Sequence, residues 1–422
     1  MTRLESLRRK ILPLREQLRV RNQWLQERLD TVIPHLMGRE QIDLWLIICR
    51  EYNEDPIVMT MLPAPAMSAR RTTILAFCRN ADGSVDRLTI DRYGHGSYFL
   101  KAWDPDREDQ WDCLARIIQE RNPQQIAVNT SAYFAFGDGI THTHYQKLSE
   151  TLGDEWMSRV VSGERLSIGW LETRILPEIV AYPALIEIGH ALIEEAFSNH
   201  VIHPGITTTN DVAWWMRQTM HEMGLEAWFQ PDCQIQAPGQ SSSFLGEPQR
   251  NLIMPGDLLW CDVGFYYLGL ATDQQELAYV LRPDEQDAPE GLKAALADGN
   301  QLQDILMQEM LIGRTGNEVL QAALSRAKDA DITGMIYTHP LGNHGHAAGP
   351  TIGLWDQQNG VPGNGDYPLF QDTAYSIELN IRKKVPEWDN QEIHIMLEQD
   401  AILTGGSMRW LDNRQTSFHL IG

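Results

Sequence analysis

The chain has 422 residues, 43% of them hydrophobic and 22% charged, with a formal net charge of −22. That length exceeds one ordinary hydrophobic core and predicts a globular protein of two domains. The acidic balance excludes the basic surface that a nucleic acid or an anionic membrane would need.

Residues 1 to about 37 are rich in helix formers, and Leu4, Leu7, Ile11, Leu14 and Leu18 recur at helical spacing. "DLWLIICR" then reads as a buried strand, followed by a Pro/Met-rich loop. "RRTTILAFCR" and "QQIAVNTS" predict further strands, with "EDQWDCLARIIQER" a helix between them. This alternation predicts a compact α/β domain over residues 1–173. From residue 174 to 422 the pattern changes to an α+β domain. "ALIEIGHALIEEAF", "NDVAWWMRQTMHEMGL", "EGLKAALADGNQLQDILMQEML" and "NEVLQAALSRAKDA" are its amphipathic helices. "DLLWCDVGFYY", "GLATDQQELAYVL", "GMIYTH", "TAYSIELNIRKKV" and "EIHIMLEQDAIL" are its strands, expected to pair antiparallel.

Cys49, Cys78, Cys113, Cys233 and Cys261 are scattered without a CxxC pair. They make neither a disulfide framework nor a thiolate zinc site, and point to a reducing compartment. No run approaches the length of a membrane span, and "MTRLESLRRKILPLREQ" lacks the apolar core of a signal peptide. A cytoplasmic location is the expectation. His203 and Gly205 in "VIHPGITTTND" read as structural punctuation at the start of a helix, and Trp214 and Trp215 as core or domain contacts.

The chemistry concentrates in the C-terminal half. "CDVGFYYLGLATDQQ" predicts a β-hairpin carrying Asp262 and Asp273. With its turn at Tyr267 and Leu268, and Gly269 easing it, the two aspartates would face each other across the ladder. Like charges so placed destabilise a hairpin unless a proton or a cation lies between them. Glu378 in "TAYSIELNI" and Glu398 in "IHIMLEQDAIL" are each embedded in an aliphatic strand. On one inward face with the aspartates and an imidazole, they would form an oxygen-rich site suited to Mn²⁺, Co²⁺, Fe²⁺ or Zn²⁺. Such a set can carry two divalent ions with a bridging water. The imidazole would come from "THPLGNHGHAAGP", which holds His339, His344 and His346.

These residues resemble the pita-bread metallopeptidase family, M24, which includes methionine aminopeptidase, aminopeptidase P, prolidase and creatinase. The family's D-[IVL]-G…[ST]-D hairpin is matched by "DVGFYYLGLATD", its H-x-[LIV]-G by "HPLG", its T-I-E by "SIE" and its final I-E-D by "LEQD". Order and spacing agree over about residues 175 to 405. The N-terminal half resembles the creatinase/prolidase-type N-terminal domain more loosely, mainly through "DLWLIICREYNEDP". The resemblance is closest to Xaa-Pro aminopeptidase or prolidase. It implies a pita-bread catalytic domain after an α/β creatinase-type domain, and two divalent ions, Mn²⁺ first among the candidates, on Asp262, Asp273, one histidine, Glu378 and Glu398. It also implies a bridging hydroxide that attacks the N-terminal bond of a short, Xaa-Pro-type peptide, with Glu378 passing the proton on, and a homodimer by analogy.

Three histidine assignments stand open. "HPLG" fits without a gap, which makes His339 the metal ligand and His346 the substrate-facing, catalytic histidine. One inserted residue would make His344 the ligand instead, and reading "GHAAG" as the motif would give that place to His346. Several positions depart from the family. Met396 replaces an Arg, "QQE" (residues 274–276) replaces x-T-R, and "ELN" replaces E-P-G. Ser241, Ser242 and Ser243 stand near where an upstream histidine is expected. Two other readings are therefore carried: a creatinase-like C–N hydrolase, and a non-catalytic pita-bread scaffold that binds a peptide or a partner.

Overall fold

In the computed structural model, which describes residues 1–240, 250–346 and 348–422, the chain divides into two compact units. One is Pro13–Ile175; the other is Leu176–Gly422 together with Met1–Leu12. The expected division at residues 173/174 therefore falls two residues from the observed one, and the first twelve residues belong to the opposite unit from the one expected. The leucine periodicity at the N-terminus runs across a break. Arg3–Arg8 is one helix and Leu14–Arg39 another, with Pro13 at the N-cap of the second. Proline disfavours helical geometry in the residue before it, so the first helix cannot run through. Leu4 and Leu7 are buried, whereas Leu14 is 68% exposed.

The Pro13–Ile175 unit is built on a six-stranded mixed sheet. Its central strand, Leu44–Arg50, is buried at every position but the last, and pairs antiparallel with Thr72–Arg79 and parallel with Ile126–Val128. Helix Gln110–Arg121 lays Cys113, Leu114, Ile117 and Ile118 on this core. Asp109 caps its start and Asn122, in the left-handed region, ends it. All five cysteines are free and buried.

The second unit holds a nine-stranded sheet. Strands Thr373–Val385 and Gln391–Thr404 pair along their length, from Thr373↔Leu403 to Val385↔Gln391. Gln274–Val280, Leu258–Val263 and Asp232–Gln236 follow in that order. Side chains alternate across a sheet, and the helices take one face. A Cβ at Gly299, on helix Glu290–Glu309, would lie 2.8 Å from Leu397 Cδ1. One at Gly189, on helix Leu176–Ala196, would lie 1.6 Å from Gln274 Oε1. Glycine thus lets both helices press onto the face that carries Leu397 and Gln274. Gln275 and Glu398, one position along, point to the other face.

Two expectations change here. Helix Leu176–Ala196 has the length and apolarity of a membrane span, contrary to the reading that no run approaches one. Most of that apolar stretch is buried, with Glu178 and His190 among its buried residues. Trp214 is 54% exposed with Arg217 against its ring, so it is not a core residue. His203 and Gly205 precede helix Thr209–Met223, which Thr208 and Asp211 close with a capping box.

Candidate metal centre

The hairpin forms with its turn one residue beyond the expected place. Leu268 and Gly269 both have positive φ, 55° and 80°, and Tyr267 pairs with Leu270. This two-residue turn is therefore centred on Leu268–Gly269 rather than on Tyr267 and Leu268. Moving the centre by one residue moves the register by two, so Asp262 pairs with Gln275 and not with Asp273. Asp273 falls opposite Gly264, where the ladder is interrupted between Val263↔Gln274 and Tyr266↔Ala271. A Cβ at Gly264 would sit 2.3 Å from Trp228 Nε1 and 2.6 Å from Thr272 O, so only glycine fits beside Asp273. Both aspartates still share one face, in adjacent rows.

The register then lines four acidic residues and Gln275 up across five strands. Asp232 pairs with Asp262, Asp262 with Gln275, Gln275 with Glu398, and Glu398 with Glu378. His339, on strand His339–Leu341, pairs with Ser376 and so joins the same face. Ala271 N–H donates to Gly342 O at 2.7 Å, tying the hairpin to the histidine loop.

Three overlapping groups of possible ligands result: Asp273 with His339 and His346; His339 with Glu378 and Glu398; Asp262 with Asp273 and Glu398. His339 Nε2 lies 3.3 Å from Glu398 Oε1, 3.5 Å from Asp273 Oδ2 and 3.9 Å from Glu378 Oε2. Its Nδ1 lies 3.1 Å from Pro340 O. An N–H on Nδ1 donating to that carbonyl leaves the Nε2 lone pair facing the carboxylates, the tautomer a metal-binding imidazole needs. His346 Nε2 is 3.9 Å from Asp273 Oδ2, and its ring packs edge-on against His339 and Trp228. Partial burial of the ring against Trp228 and His339, and then His339 itself, lower its pKa, so it is neutral near pH 7. A Cβ at Gly345 would meet the Trp228 ring at 2.4 Å, which explains the glycine between the last two histidines. His344 is half-buried and joins none of the three groups.

The electrostatics ask for a cation. Burial first, and then Glu398, push the carboxyls of Asp262, Asp273 and Glu378 well above the usual carboxylate range. Among the described residues, Asp262 Oδ1 and Asp273 Oδ1 are buried without a hydrogen-bond partner. A buried, partnerless carboxylate oxygen is costly, and a divalent ion is the partner this donor set fits. The Asp262, Asp273, His339, Glu378 and Glu398 set thus suits a metal on the chemistry of its own atoms.

Residues that the sequence reading noted only as departures from the family, Gln275 and Met396, or passed over as site residues, Ser376 and Asp400, complete the site. Gln275 Nε2 donates to Glu378 Oε1 at 2.6 Å and to Glu398 Oε2 at 2.8 Å, while its Oε1 accepts from Trp260 Nε1 at 2.9 Å. Ser376 Oγ donates to Glu398 Oε1 at 2.7 Å. Asp400 Oδ2 accepts from Asp273 N–H at 3.2 Å. Met396 pairs with Asn380, and Asn380 Nδ2 donates to the Tyr337 hydroxyl at 3.1 Å. The register alone would have exposed Gln275, because it is the residue between Asp262 and Glu398. Ser241, Ser242 and Ser243 lie outside the described residues.

A helix-backed sheet whose other face gathers four carboxylates and an imidazole is the pita-bread metallopeptidase arrangement. The chain belongs to metallopeptidase family M24, whose profile matches residues 184–413. No curated protein matches the chain. Among solved structures it is similar to an X-Pro aminopeptidase from Thermotoga maritima MSB8, at 17% identity over 91% of this chain and 99% of that one, with a TM-score of 0.64. It is also similar to an Xaa-Pro dipeptidase from Bacillus anthracis, at 16% identity over 94% and 100%, TM-score 0.60. A third similar structure is the N-terminal domain of the FACT complex subunit SPT16 from Cicer arietinum, at 10% identity over 95% and 99%, TM-score 0.57. At these identities the likeness establishes the fold alone.

Proposed function

We propose that the chain is a metal-dependent aminopeptidase or dipeptidase that hydrolyses the N-terminal bond of short peptides, with Xaa-Pro peptides the first substrates to test. The observation that carries this reading is the convergence of Asp262, Asp273, His339, Glu378 and Glu398 with buried carboxylate oxygens left unpartnered. Divalent ions held there, Mn²⁺ being the first to try, would acidify water and polarise a carbonyl.

The protein's own groups supply the rest. Glu378 is 19% exposed at its side chain, while Asp273 and Glu398 are at 4% and 2%. Of the three carboxylates facing His339 it is therefore the one placed to take a proton from the attacking water and deliver it to the leaving amine. Neutral His346, largely exposed beside Asp273, is placed to donate a hydrogen bond to the scissile carbonyl as its oxygen gains charge. The acidic face would also attract the ammonium of a free N-terminus. The retained carboxylates favour this reading over a creatinase-like hydrolase or a scaffold without activity.

The test is metal analysis of the purified protein, followed by assay of Xaa-Pro dipeptides and tripeptides with added Mn²⁺ or Co²⁺. Bound metal with cleavage is expected. No bound ion and no cleavage with any metal would sink the reading, and cleavage of dipeptides alone would narrow it to a dipeptidase.

A further inference from the structure

His346 is exposed over 61% of its side chain, and the carboxylate oxygen nearest its Nε2, Asp273 Oδ2, is 3.9 Å away, beyond hydrogen-bond reach. Its imidazole rests against rings instead. The centroid of His339 lies 4.4 Å from it and that of Trp228 4.8 Å, with interplanar angles of 86° and 85°. His339 belongs to the metal-binding set. Trp228 does not, and its place against the imidazole needs another reason.

The indole is itself immobilised. Trp228 follows strand Glu226–Ala227, which pairs with Phe265 and Tyr266 of the hairpin. Its Nε1–H donates to Thr272 O at 2.9 Å, and Thr272 is held in turn by its own N–H to Phe265 O at 3.0 Å. Thr272 immediately precedes Asp273. Two glycines let the ring in. A Cβ at Gly264 would fall within 2.6 Å of Trp228 Nε1, Phe229 Cε1 and Thr272 O, and one at Gly345 within 2.6 Å of three indole atoms. Phe229 packs on the indole with centroids 4.5 Å apart. Trp228 thus ties the hairpin that carries Asp262 and Asp273 to the loop that carries His346. A ring contact suits this task, because it fixes the imidazole plane and occupies neither of its nitrogens.

We infer that Trp228 is a positioning residue for His346: braced on Thr272 O and on the backbone of Gly264 and Gly345, it sets the direction in which the imidazole meets the scissile carbonyl. It acts through His346, so its loss should slow the chemical step without weakening the binding of peptide or metal. The inference rests on the peptidase reading and adds to it a residue that is neither a metal ligand nor a proton carrier.

The test uses the metal-loaded full chain and an Xaa-Pro peptide that the unaltered protein cleaves. Trp228→Leu removes the ring and its N–H, Trp228→Phe keeps a ring for the imidazole, and Gly345→Ala forces the loop off the indole while leaving Trp228 in place. Trp228→Leu and Gly345→Ala should each lower kcat toward about 100-fold, the loss that misplacing a group by about 1 Å can cause. KM should stay within a few fold and the metal content should not change. Trp228→Phe should recover most of the lost rate. In a His346→Ala background none of the three should lower kcat further, because residues that act as one unit are not additive. Circular dichroism verifies that each variant is folded, and Gly345→Ala decides the outcome if Trp228→Leu is not. A folded Trp228→Leu or Gly345→Ala with unaltered kcat overturns the inference and leaves the peptidase reading standing. So does a loss that falls on KM or metal content, or one that multiplies with that of His346→Ala. Failure of the unaltered chain to cleave any short peptide with any metal overturns both.

Discussion

Asp55, which is fully buried, and Asp262, whose Oδ1 is buried, lie one in each unit, and they differ in what surrounds their oxygens. Asp55 Oδ1 accepts from Ile57 N–H at 3.0 Å and Oδ2 from Asn129 Nδ2 at 2.8 Å. Trp45 Nε1 in turn donates to Asn129 Oδ1 at 2.8 Å, so the network closes. Gly139 leaves room for it, because a Cβ there would fall 1.9 Å from Asp55 Oδ2. Around Asp262 the charged neighbours are Glu398 and Asp232, and Oδ1 has no partner among the described residues. A buried carboxylate with its acceptors filled holds a fold together; one left with unfilled acceptors and like charges is waiting for a ligand.

The largest expected effect lies at the proton carrier. Glu378→Gln should lower kcat by about 10²–10⁴-fold, the usual contribution of a general acid–base group, while the chain still takes up metal through Asp262, Asp273, His339 and Glu398. A kcat within a few fold of the unaltered protein would move the proton to another group. Asp262→Ala should abolish uptake at its side of the centre, and activity with it, yet leave the metal-free melting temperature unchanged or raised, since one buried like charge is gone. Asp55→Ala should do the reverse, costing about 1–3 kcal/mol of stability through the donors it strands and leaving metal binding intact. Denaturant titration and metal analysis of the two variants side by side read both halves. If Asp262→Ala unfolds the chain and Asp55→Ala strips the metal, the contrast fails.

Much of the second unit was legible in its sequence because side-chain alternation and apolar flanks survive in long strands. "TAYSIELNIRKKV" is the observed strand Thr373–Val385 to the residue. Glu378 stood out there because an ionised group among aliphatic neighbours is rare. What could not be read was register. A turn on Leu268–Gly269 and one on Tyr267–Leu268 look equally plausible as strings, yet they interchange Asp273 and Gln275 opposite Asp262. The first twelve residues were misplaced for a related reason. Helical spacing continues through Leu14, and nothing in the periodicity says which core each leucine enters. The same limit applies to the histidine loop, where motif matching offered three ligands and the Ser376 pairing places His339 among the carboxylates.

The smallest effect separates the two aspartates by pH. Asp262, Asp273 and Glu378 have folded pKa values raised above the ordinary values of about 3.9 for Asp and about 4.3 for Glu. Between its unfolded and folded values, each group holds a proton in the folded chain that it releases on unfolding. Its contribution to stability is full below the unfolded value and is lost as pH rises through the folded one. Asp55 follows the same sign, but burial raises it only to about 6, so its contribution is spent by mid-range pH. In a chelator the melting temperature should therefore keep falling past the value of Asp55, a fall to which the metal-centre carboxylates contribute together with Asp400 and His190, whose pKa values are also raised. Saturating Mn²⁺ should reverse the slope, because its ligands bind deprotonated and the ion gains affinity as pH rises. Asp55→Ala should leave both the residual slope above pH 6 and its reversal in place, whereas Asp262→Ala should flatten the first and weaken the second. A metal-free melting curve that is level above pH 6 would mean that the cluster has already lost its protons, and that its carboxylates are better solvated than Asp55.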